Sequence, residues 1–260
     1  MKVAAAQIAC AVGEVAANVR KMREFAVRAK EAGAELIVFP EMTDTGYLME
    51  VIRQKASGWN EGAVPQLRQI ARELALAIIS GVSEKEGDAI YNSQVAIDRR
   101  GEIIGKYRKT HLFAPIGEDR VCLGGDCLTS VDLGPFRFGL TICYDLRFPE
   151  VYRILAVEQR VNVFINSSAW PFPRLEHLRI LASARAIENQ SYLILVNRVG
   201  RDNGAPFCGS SAMLDPSGVI VAGASTDREE LVVAELSTEV IEAVREKMPV
   251  LAHRRGDLYR

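Results

Sequence analysis

Three reactive side chains stand at the ends of predicted strands. Glu41 follows the apolar run ELIVFP, Lys109 ends the segment GEIIGKYRK, and Cys143 ends FGLTIC. In α/β proteins, catalytic groups gather where strands give way to loops. A free thiol titrates near pH ~8.5, so a carboxylate that takes its proton and an ammonium that favours the thiolate would both help it react. The three residues could therefore supply a nucleophile, a base and an electrostatic stabiliser, although spacing alone only suggests this.

Strand-like and helix-like segments alternate along the chain and would hold these residues in place. The predicted strands cover residues 3–9, 35–40, 76–82, 91–98, 101–109, 135–143, 161–168, 191–197, 208–215, 218–223 and 230–236. The predicted helices cover residues 15–32, 64–76, 148–159, 174–189 and 237–247. Residues 110–128 are predicted to be rich in loops. The strands at 91–98 and 101–109, joined by Arg99-Arg100-Gly101, are expected to form an antiparallel hairpin.

The organisation of the chain favours one α/β domain over residues 1–260. Its length and its 48% hydrophobic content are enough to build a core that folds unaided. No linker rich in proline, glycine or serine divides the chain, and no internal repeat is obvious. About a dozen strands are many for one open sheet, so two stacked mixed sheets with helices outside them are expected.

Charge and cysteine content argue against several functions. The formal net charge is −1, from 32 basic and 33 acidic residues without a basic block, so nothing points to nucleic acid or an anionic membrane as partner. No apolar run approaches the roughly 18 residues that a membrane-spanning helix requires. The five cysteines form an odd, scattered set, which indicates a reducing cytoplasm rather than a disulfide framework.

Other site chemistries find little support in the sequence. His111, His177 and His253 are too dispersed for a Ser-His triad or a metal site. Cys122 and Cys127 near His111 could imitate a zinc loop, but the ligand set is incomplete. GEIIGKY is not a phosphate-binding loop, because its glycine spacing is one residue short and no Ser or Thr follows the lysine.

Motifs along nearly the whole chain make it resemble the nitrilase superfamily of carbon–nitrogen hydrolases. The motifs are AAAQIA near the start, IVFPEMTDTGY around Glu41, YRKTHLF around Lys109, ICYDLRFPE around Cys143, NSSAWP, RAIENQSYLILVNRVG and GSSAMLDPSG. Three catalytic motifs in the family's order make a chance match unexpected. ICYDLRFPE and the ending HRRGDLY are similar to the branch that contains the ω-amidases.

The resemblance implies a fold and a catalytic set. It implies a single carbon–nitrogen hydrolase domain with a four-layer α-β-β-α sandwich. It assigns Glu41 as general base, Lys109 as cationic stabiliser and Cys143 as nucleophile. A second glutamate in the loop after the lysine corresponds to Glu118. Here Gly124-Gly125-Asp126 stands where this part of the family usually has Pro-Gly-Asp.

The resemblance also implies the reaction and the partners. The expected enzyme is a thiol amidohydrolase that needs no metal or organic cofactor, takes a small amide as substrate, and forms a homodimer or a higher homo-oligomer. The favoured substrate is an ω-amide of a dicarboxylate, such as α-ketoglutaramate or succinamate. Deaminated glutathione, an aliphatic amide or a carbamoyl amino acid are alternatives, and nitriles are less favoured. A non-catalytic binding protein and an acyltransferase are further alternatives.

Four residues are candidates for binding the substrate. The backbone N–H of Tyr144 would receive the negative charge on the substrate oxygen, and Tyr47 and Trp170 could line the pocket. Aromatic residues at such positions are more often core than substrate contacts. Arg147 could grip a substrate carboxylate, or it could form an ion pair with Asp145 or Glu150 and shape the turn.

Overall fold

The computed structural model describes residues 1–259 of the chain. Within this range the strands are β1 (Lys2–Gln7), β2 (Leu36–Val38), β3 (Ala77–Glu86), β4 (Ala89–Ile97), β5 (Ile103–Arg108), β6 (Ser130–Leu133), β7 (Phe136–Ile142), β8 (Val163–Ser168), β9 (Tyr192–Asn197), β10 (Arg201–Asp202), β11 (Ala205–Pro206), β12 (Ala212–Leu214), β13 (Ile220–Gly223) and β14 (Glu230–Glu235). The α-helices are α1 (Val15–Glu31), α2 (Met49–Lys55), α3 (Ala63–Leu74), α4 (Pro149–Val157), α5 (Leu175–Asn189) and α6 (Thr238–Lys247).

The strands form two mixed sheets, as the sequence predicts. The first has the order β14-β1-β2-β3-β4-β5, in which β1, β2 and β3 are parallel and β4 forms the predicted antiparallel hairpin with β5. The second has the order β13-β12-β9-β8-β7-β6, in which β7, β8 and β9 are parallel. A two-stranded ribbon of β10 and β11 lies outside both sheets.

The sheets pack face to face, and helices cover both outer faces. On β1, Ala4 and Ala6 join the apolar cluster of α1 and α3, while Val3 and Ala5 alternate to the other face and join the cluster of the second sheet. Helices α4 and α5 pack on the outer face of that sheet through residues such as Leu155. The result is the predicted four-layer α-β-β-α sandwich.

The carboxyl ends of four strands meet at the seam between the two sheets. Glu41 lies three residues after β2, Lys109 directly after β5, Cys143 directly after β7, and Ala169 directly after β8. Ser167 of the second sheet forms hydrogen bonds with the first sheet across this seam. Its hydroxyl donates to the carbonyl of Phe39 at 2.7 Å and accepts from the Gln94 amide of the first sheet at 2.7 Å. The fold therefore brings together segments that are far apart in sequence.

Some elements differ from the sequence predictions. Helix α2, strand β6 and the ribbon β10–β11 were not predicted, and residues 110–128 contain two short 3₁₀ helices, Ala114–Ile116 and Glu118–Arg120. The other boundaries differ by a few residues, most of all at β12, where only three residues of the predicted strand pair. Within residues 1–259, every helix is too short or too polar to cross a bilayer.

Candidate active site

Cys143 leaves β7 in an unusual backbone conformation. Its φ is +43°, in the left-handed region that a side chain other than glycine seldom adopts. Residues Cys143–Arg147 form a 3₁₀ helix, and the Asp145 carboxylate accepts the backbone N–H of Ile142 at 2.9 Å. This turn directs the thiol out of the strand and onto the wall of a cavity, although the residue is only 7% exposed. Strained nucleophile positions of this kind occur at active sites.

Lys109 lies between the two predicted glutamates. Its Nζ donates to Glu41 Oε1 at 2.9 Å and to the Glu118 carboxylate at 2.9 and 3.1 Å. All three side chains are fully buried. The structure thus brings Glu118, from the loop after Lys109, into contact with the predicted cation.

Three further groups fix the two carboxylates. Asn92 on β4 donates its amide to Glu41 Oε1 and to Glu118 Oε1, both at 2.6 Å. The backbone N–H of Ala169 donates to Glu41 Oε2 at 2.8 Å, and that of Phe113 to Glu118 Oε2 at 2.6 Å. A buried carboxylate needs such donors, because burying its charge without them costs on the order of several kcal/mol.

Asn92 was missed by the sequence reasoning. It lies in a segment, YNSQVAID, that was predicted as a strand, and its side chain is fully buried. Asn92 and Gln94 are two residues apart, so both point to the same face of the sheet. The recurrence of polar side chains on one face of an otherwise apolar strand was the feature of the sequence that could have identified Asn92 as a site residue.

The electrostatics of the cluster keep the thiol neutral and the lysine charged. Burial raises the pKa of Cys143 well above its usual value, and the charge of Glu41 adds to this while Lys109 opposes it. Burial also raises the pKa of Glu41, which Lys109 opposes and Glu118 reinforces. For Lys109, burial lowers the pKa, but the charges of Glu118 and Glu41 outweigh it and hold the pKa well above its usual range. The thiol therefore needs a base at the moment that it reacts.

A cavity of about 450 Å³ opens onto Cys143. All four predicted substrate-binding residues, Tyr47, Tyr144, Trp170 and Arg147, line it. The Tyr47 hydroxyl is buried without a hydrogen-bond partner among residues 1–259, and its ring lies 5.8 Å from the Lys109 ammonium. The size of the cavity fits a small organic ligand.

Arg147 does not form the ion pair that the sequence left open. Its guanidinium lies 4.7 Å from the Trp170 ring centroid and 5.9 Å from that of Tyr144. Asp145 accepts instead from the Tyr107 hydroxyl at 2.8 Å and from the backbone of Ile142. Because the described residues offer Arg147 no carboxylate within 4 Å, its charge remains available to the cavity.

Several lining residues of the cavity, among them Phe113 and Arg174, were not predicted from the sequence. Phe113 lies in the segment that was predicted as loop, and its ring centroid is 5.0 Å from that of Tyr144. Arg174 precedes α5, and its carbonyl accepts the indole N–H of Trp170 at 2.9 Å. Neither has a sequence signal of its own, since both reach the cavity through the packing of loops.

Among residues 1–259, no group of three or more His, Cys, Asp or Glu side chains is placed to hold a metal ion. Cys122 is buried and Cys127 exposed, and the His111 ring contacts Asp145 at 3.0 Å. The cluster of Glu41, Lys109 and Cys143 has the groups that nucleophilic attack requires: a thiol, a carboxylate that can take its proton and an ammonium.

Comparisons with known proteins lead to the same chemistry. The carbon-nitrogen hydrolase family model matches residues 2–246. A 2-oxoglutaramate amidase of Bacillus subtilis (strain 168) is 33% identical over 248 residues, which are 95% of each chain. The structure of Saccharomyces cerevisiae Nit3, described as a member of branch 10 of the nitrilase superfamily, superposes with a TM-score of 0.90 at 30% identity and covers 98% of this chain and 96% of that one.

A second solved structure is an amidase from Nesterenkonia sp. AN1 in complex with butyramide. It superposes with a TM-score of 0.90 at 25% identity and covers 100% of this chain and 96% of that one. Together with the family match, these relatives show that the protein is an amidohydrolase. The chain belongs to the carbon–nitrogen hydrolase family, within the nitrilase superfamily.

Proposed function

We propose that this enzyme hydrolyses small linear amides with an acid group at the far end, such as 2-oxoglutaramate (α-ketoglutaramate) or succinamate, through a thioester on Cys143. One observation carries the proposal: the cavity that opens onto the thiol is also lined by Arg147, which has no carboxylate partner within 4 Å among residues 1–259. A guanidinium is well suited to bind a carboxylate. The relative named 2-oxoglutaramate amidase supports the same substrate class.

The first step is attack on the amide. Glu41 removes the thiol proton while the sulfur of Cys143 bonds to the amide carbon. The raised pKa of Glu41 supports this role, because a carboxylate with a higher pKa is a stronger base. Negative charge develops on the amide oxygen. Lys109 and the backbone N–H of Tyr144 receive that charge, and one such donor is typically worth about 3 kcal/mol.

The second half of the reaction releases the products. Glu41 gives its proton to the departing nitrogen, so that ammonia leaves and a thioester remains on Cys143. Water then loses a proton to the same carboxylate and attacks the thioester carbon. The acid is released and the thiol is restored. Glu118 contributes by holding Lys109 in place through the two contacts described above.

A neutral aliphatic amide is the second candidate substrate. The structural relative bound to butyramide supports it, and aromatic side chains form much of the cavity wall, including Phe113 and Phe207. Such an amide would need no cation at its far end. The two candidates therefore differ in whether Arg147 contributes to substrate binding.

Ammonia release from a substrate panel tests the proposal. The panel contains 2-oxoglutaramate, succinamate, butyramide, a carbamoyl amino acid, deaminated glutathione and a nitrile. We expect the acid amides to have the highest kcat/KM, and Arg147→Gln to lower it for these but not for butyramide. A preference for butyramide that Arg147→Gln leaves intact would favour the aliphatic amidase, and release from nitriles alone would overturn both.

Hydroxylamine trapping tests the thioester. The enzyme should convert an acid amide to the hydroxamate, because hydroxylamine intercepts an acyl group on sulfur. Cys143→Ala should abolish both hydroxamate and ammonia, whereas Cys127→Ala, at an exposed cysteine, should change neither. Ammonia release at the normal rate by the Cys143 variant would exclude the thioester.

We further propose that the chain works as a homodimer, or a higher homo-oligomer, in the cytoplasm. Large apolar side chains are exposed on α4 at Ile154 and on α5 at Ile180 and Ile187. Helix α4 follows Cys143 along the chain and α5 follows Ala169, so a partner copy would cover the face behind the site. All five cysteines are free, which supports a reducing compartment.

A further inference from the structure

Arg174 occupies a fixed position at the wall of the cavity. It is the residue before α5, and its guanidinium lies 5.6 Å from the ring centroid of Phe113. Its carbonyl accepts the indole N–H of Trp170, the ring over which Arg147 lies. The Trp170 ring thus connects the backbone of one arginine with the side chain of the other.

The two guanidinium groups lie along one aromatic wall. Arg147 is next to the Trp170 and Tyr144 rings, and Arg174 is next to the Phe113 ring. The rings of Tyr144 and Phe113 are themselves in contact, with centroids 5.0 Å apart. Stacking on a ring restrains a guanidinium and leaves N–H groups at its edge to donate. Nη2 of Arg147 contacts Nδ1 of His177 at 3.3 Å, and the other N–H groups of its guanidinium can donate to a ligand.

The carboxylates near the cavity do not form ion pairs with Arg147 or Arg174. Asp202 lines the cavity, but Arg198 holds its two oxygens at 2.6 and 2.9 Å. Glu50 is exposed at the start of α2. Among residues 1–259, neither Arg147 nor Arg174 has a carboxylate within 4 Å, whereas the nearby Glu176 pairs with Arg179. The cavity therefore carries two cations whose charge is free to meet a ligand.

We propose that Arg174 is a second substrate-recognition residue, which together with Arg147 selects amides that end in a 2-oxo acid over amides that end in a lone carboxylate. This rests on the proposed function. One guanidinium satisfies a carboxylate with two parallel hydrogen bonds. A 2-oxo acid adds a third acceptor oxygen on the neighbouring carbon, and a second set of donors is needed to satisfy it. Arg174 supplies those donors.

The test compares three amides with the purified full-length enzyme. 2-Oxoglutaramate and glutaramate have the same length and differ only in the 2-oxo group, and butyramide has no acid group. The variants are Arg174→Gln, which removes the cation, and Arg174→Lys, which keeps the charge but not the fork. Arg179→Gln is the control, because Arg179 is an exposed arginine of α5 that does not line this cavity.

We expect Arg174→Gln to lower kcat/KM for 2-oxoglutaramate by about 10- to 100-fold, mainly through KM, which is the effect of losing one or two hydrogen bonds to a charged group. For glutaramate, the fall in log kcat/KM should be less than half of that for 2-oxoglutaramate, and kcat/KM for butyramide should not change. Arg179→Gln should have the kcat/KM of the unmodified enzyme for all three amides. Arg174→Lys should give an intermediate loss for 2-oxoglutaramate.

Equal losses for all three amides would mean that Arg174 only supports the structure of the wall, and no loss for any would mean that it does not meet the substrate. Either result overturns the inference while leaving the proposed function standing. Failure of the proposed function would be visible in the unmodified enzyme, as a lack of preference for glutaramate and 2-oxoglutaramate over butyramide.

Discussion

At the scale of single residues, the chemistry depends on a cluster of buried charged groups, each of which is stable there only because the others pair with it. Two carboxylates and one ammonium share a fully buried site, and their contacts with Asn92 and two backbone N–H groups satisfy the remaining oxygens. Removal of one partner of a buried ion pair leaves an uncompensated charge, which typically costs about 3–5 kcal/mol. The charge of each member therefore controls the protonation of the others.

Replacement of Glu118 should change the pH dependence of the enzyme in a defined direction. The negative charge of Glu118 raises the pKa of Glu41. Glu41 must be ionised to accept the thiol proton, so kcat/KM falls as the pH drops through its pKa. Glu118→Gln removes that negative charge, lowers the pKa of Glu41, and should move the acid limb of the kcat/KM profile to lower pH. The plateau should fall as well, because Lys109 loses its ion partner.

A kcat/KM profile between about pH 4 and 8 measures this shift. Asp119→Asn is the matched control, since Asp119 is the adjacent acid but is exposed. Its profile should overlay that of the unmodified enzyme. An acid limb of Glu118→Gln that stays in place or moves to higher pH would contradict the electrostatic coupling between the two glutamates.

At the scale of elements, the sequence locates the three reactive residues well. Glu41 and Cys143 each follow a strand whose apolar run is short and buried. Lys109 follows β5, which is mostly only partly buried and was predicted from the turn of its hairpin with β4. By contrast, α2 has seven residues with a single buried position, Ile52, which is too short for a helical period to be visible. Strand β6 has four residues, of which only Val131 is buried, so an alternation of buried and exposed residues could not be seen in its sequence either.

The supports of the site could not be predicted in the same way. The backbone N–H of Ala169 has no side-chain signal, and its contact with Glu41 spans 128 residues of sequence. Asn92 lies in a predicted strand, but its role as donor to two glutamates depends on where the loop of Glu118 folds. Such contacts are set by the packing of the two sheets, which local pattern does not encode.

Gly81 on β3 should be essential for the position of Glu41. A Cβ at this position would lie 2.5 Å from the carbonyl oxygen of Pro40 and 2.6 Å from the Cα of Glu41, both of which are backbone atoms. The Gly81 N–H also donates to Pro40 at 3.0 Å, and its carbonyl accepts from Thr43 at 3.1 Å. Gly81→Ala should therefore push Glu41 away from Lys109. We expect kcat/KM to fall about 100-fold or more, since a displacement of about 1 Å can cost that much.

The matched control is Gly58→Ala, where the nearest atom to a new Cβ is the Lys85 carbonyl oxygen at an ordinary 3.8 Å. Its activity should be unchanged. Thermal unfolding of both variants separates a local effect from loss of the fold. Full activity in a folded Gly81→Ala variant would show that the Glu41 segment tolerates the displacement and that its close approach to β3 does not position the base.

At the scale of the whole molecule, the site exists because two sheets meet. The first sheet supplies Glu41, Asn92 and Lys109, and the second supplies Cys143 and the N–H of Ala169. Without the second sheet, Glu41 would keep its contacts with Lys109 and Asn92 but would lose the N–H of Ala169 and the thiol on which it acts. Packing of the sheets therefore completes the site, and the contacts that cross the seam, such as that of Ala169 with Glu41, are what the sequence does not show.

The outer face of the second sheet should be where two copies of the chain meet. Ile180 and Ile187 on α5 are 64% and 52% exposed, and Ile187 lies so close to the turn before β13 that a Cβ at Gly218 would be 2.5 Å from it. A charge here should oppose burial against a partner. We expect Ile187→Glu to convert a dimer to a monomer in sedimentation at micromolar concentration. Ile104→Glu, at an exposed isoleucine of β5, should leave the dimer intact. A monomeric unmodified chain, or an Ile187 variant that stays dimeric, would exclude this face as the contact.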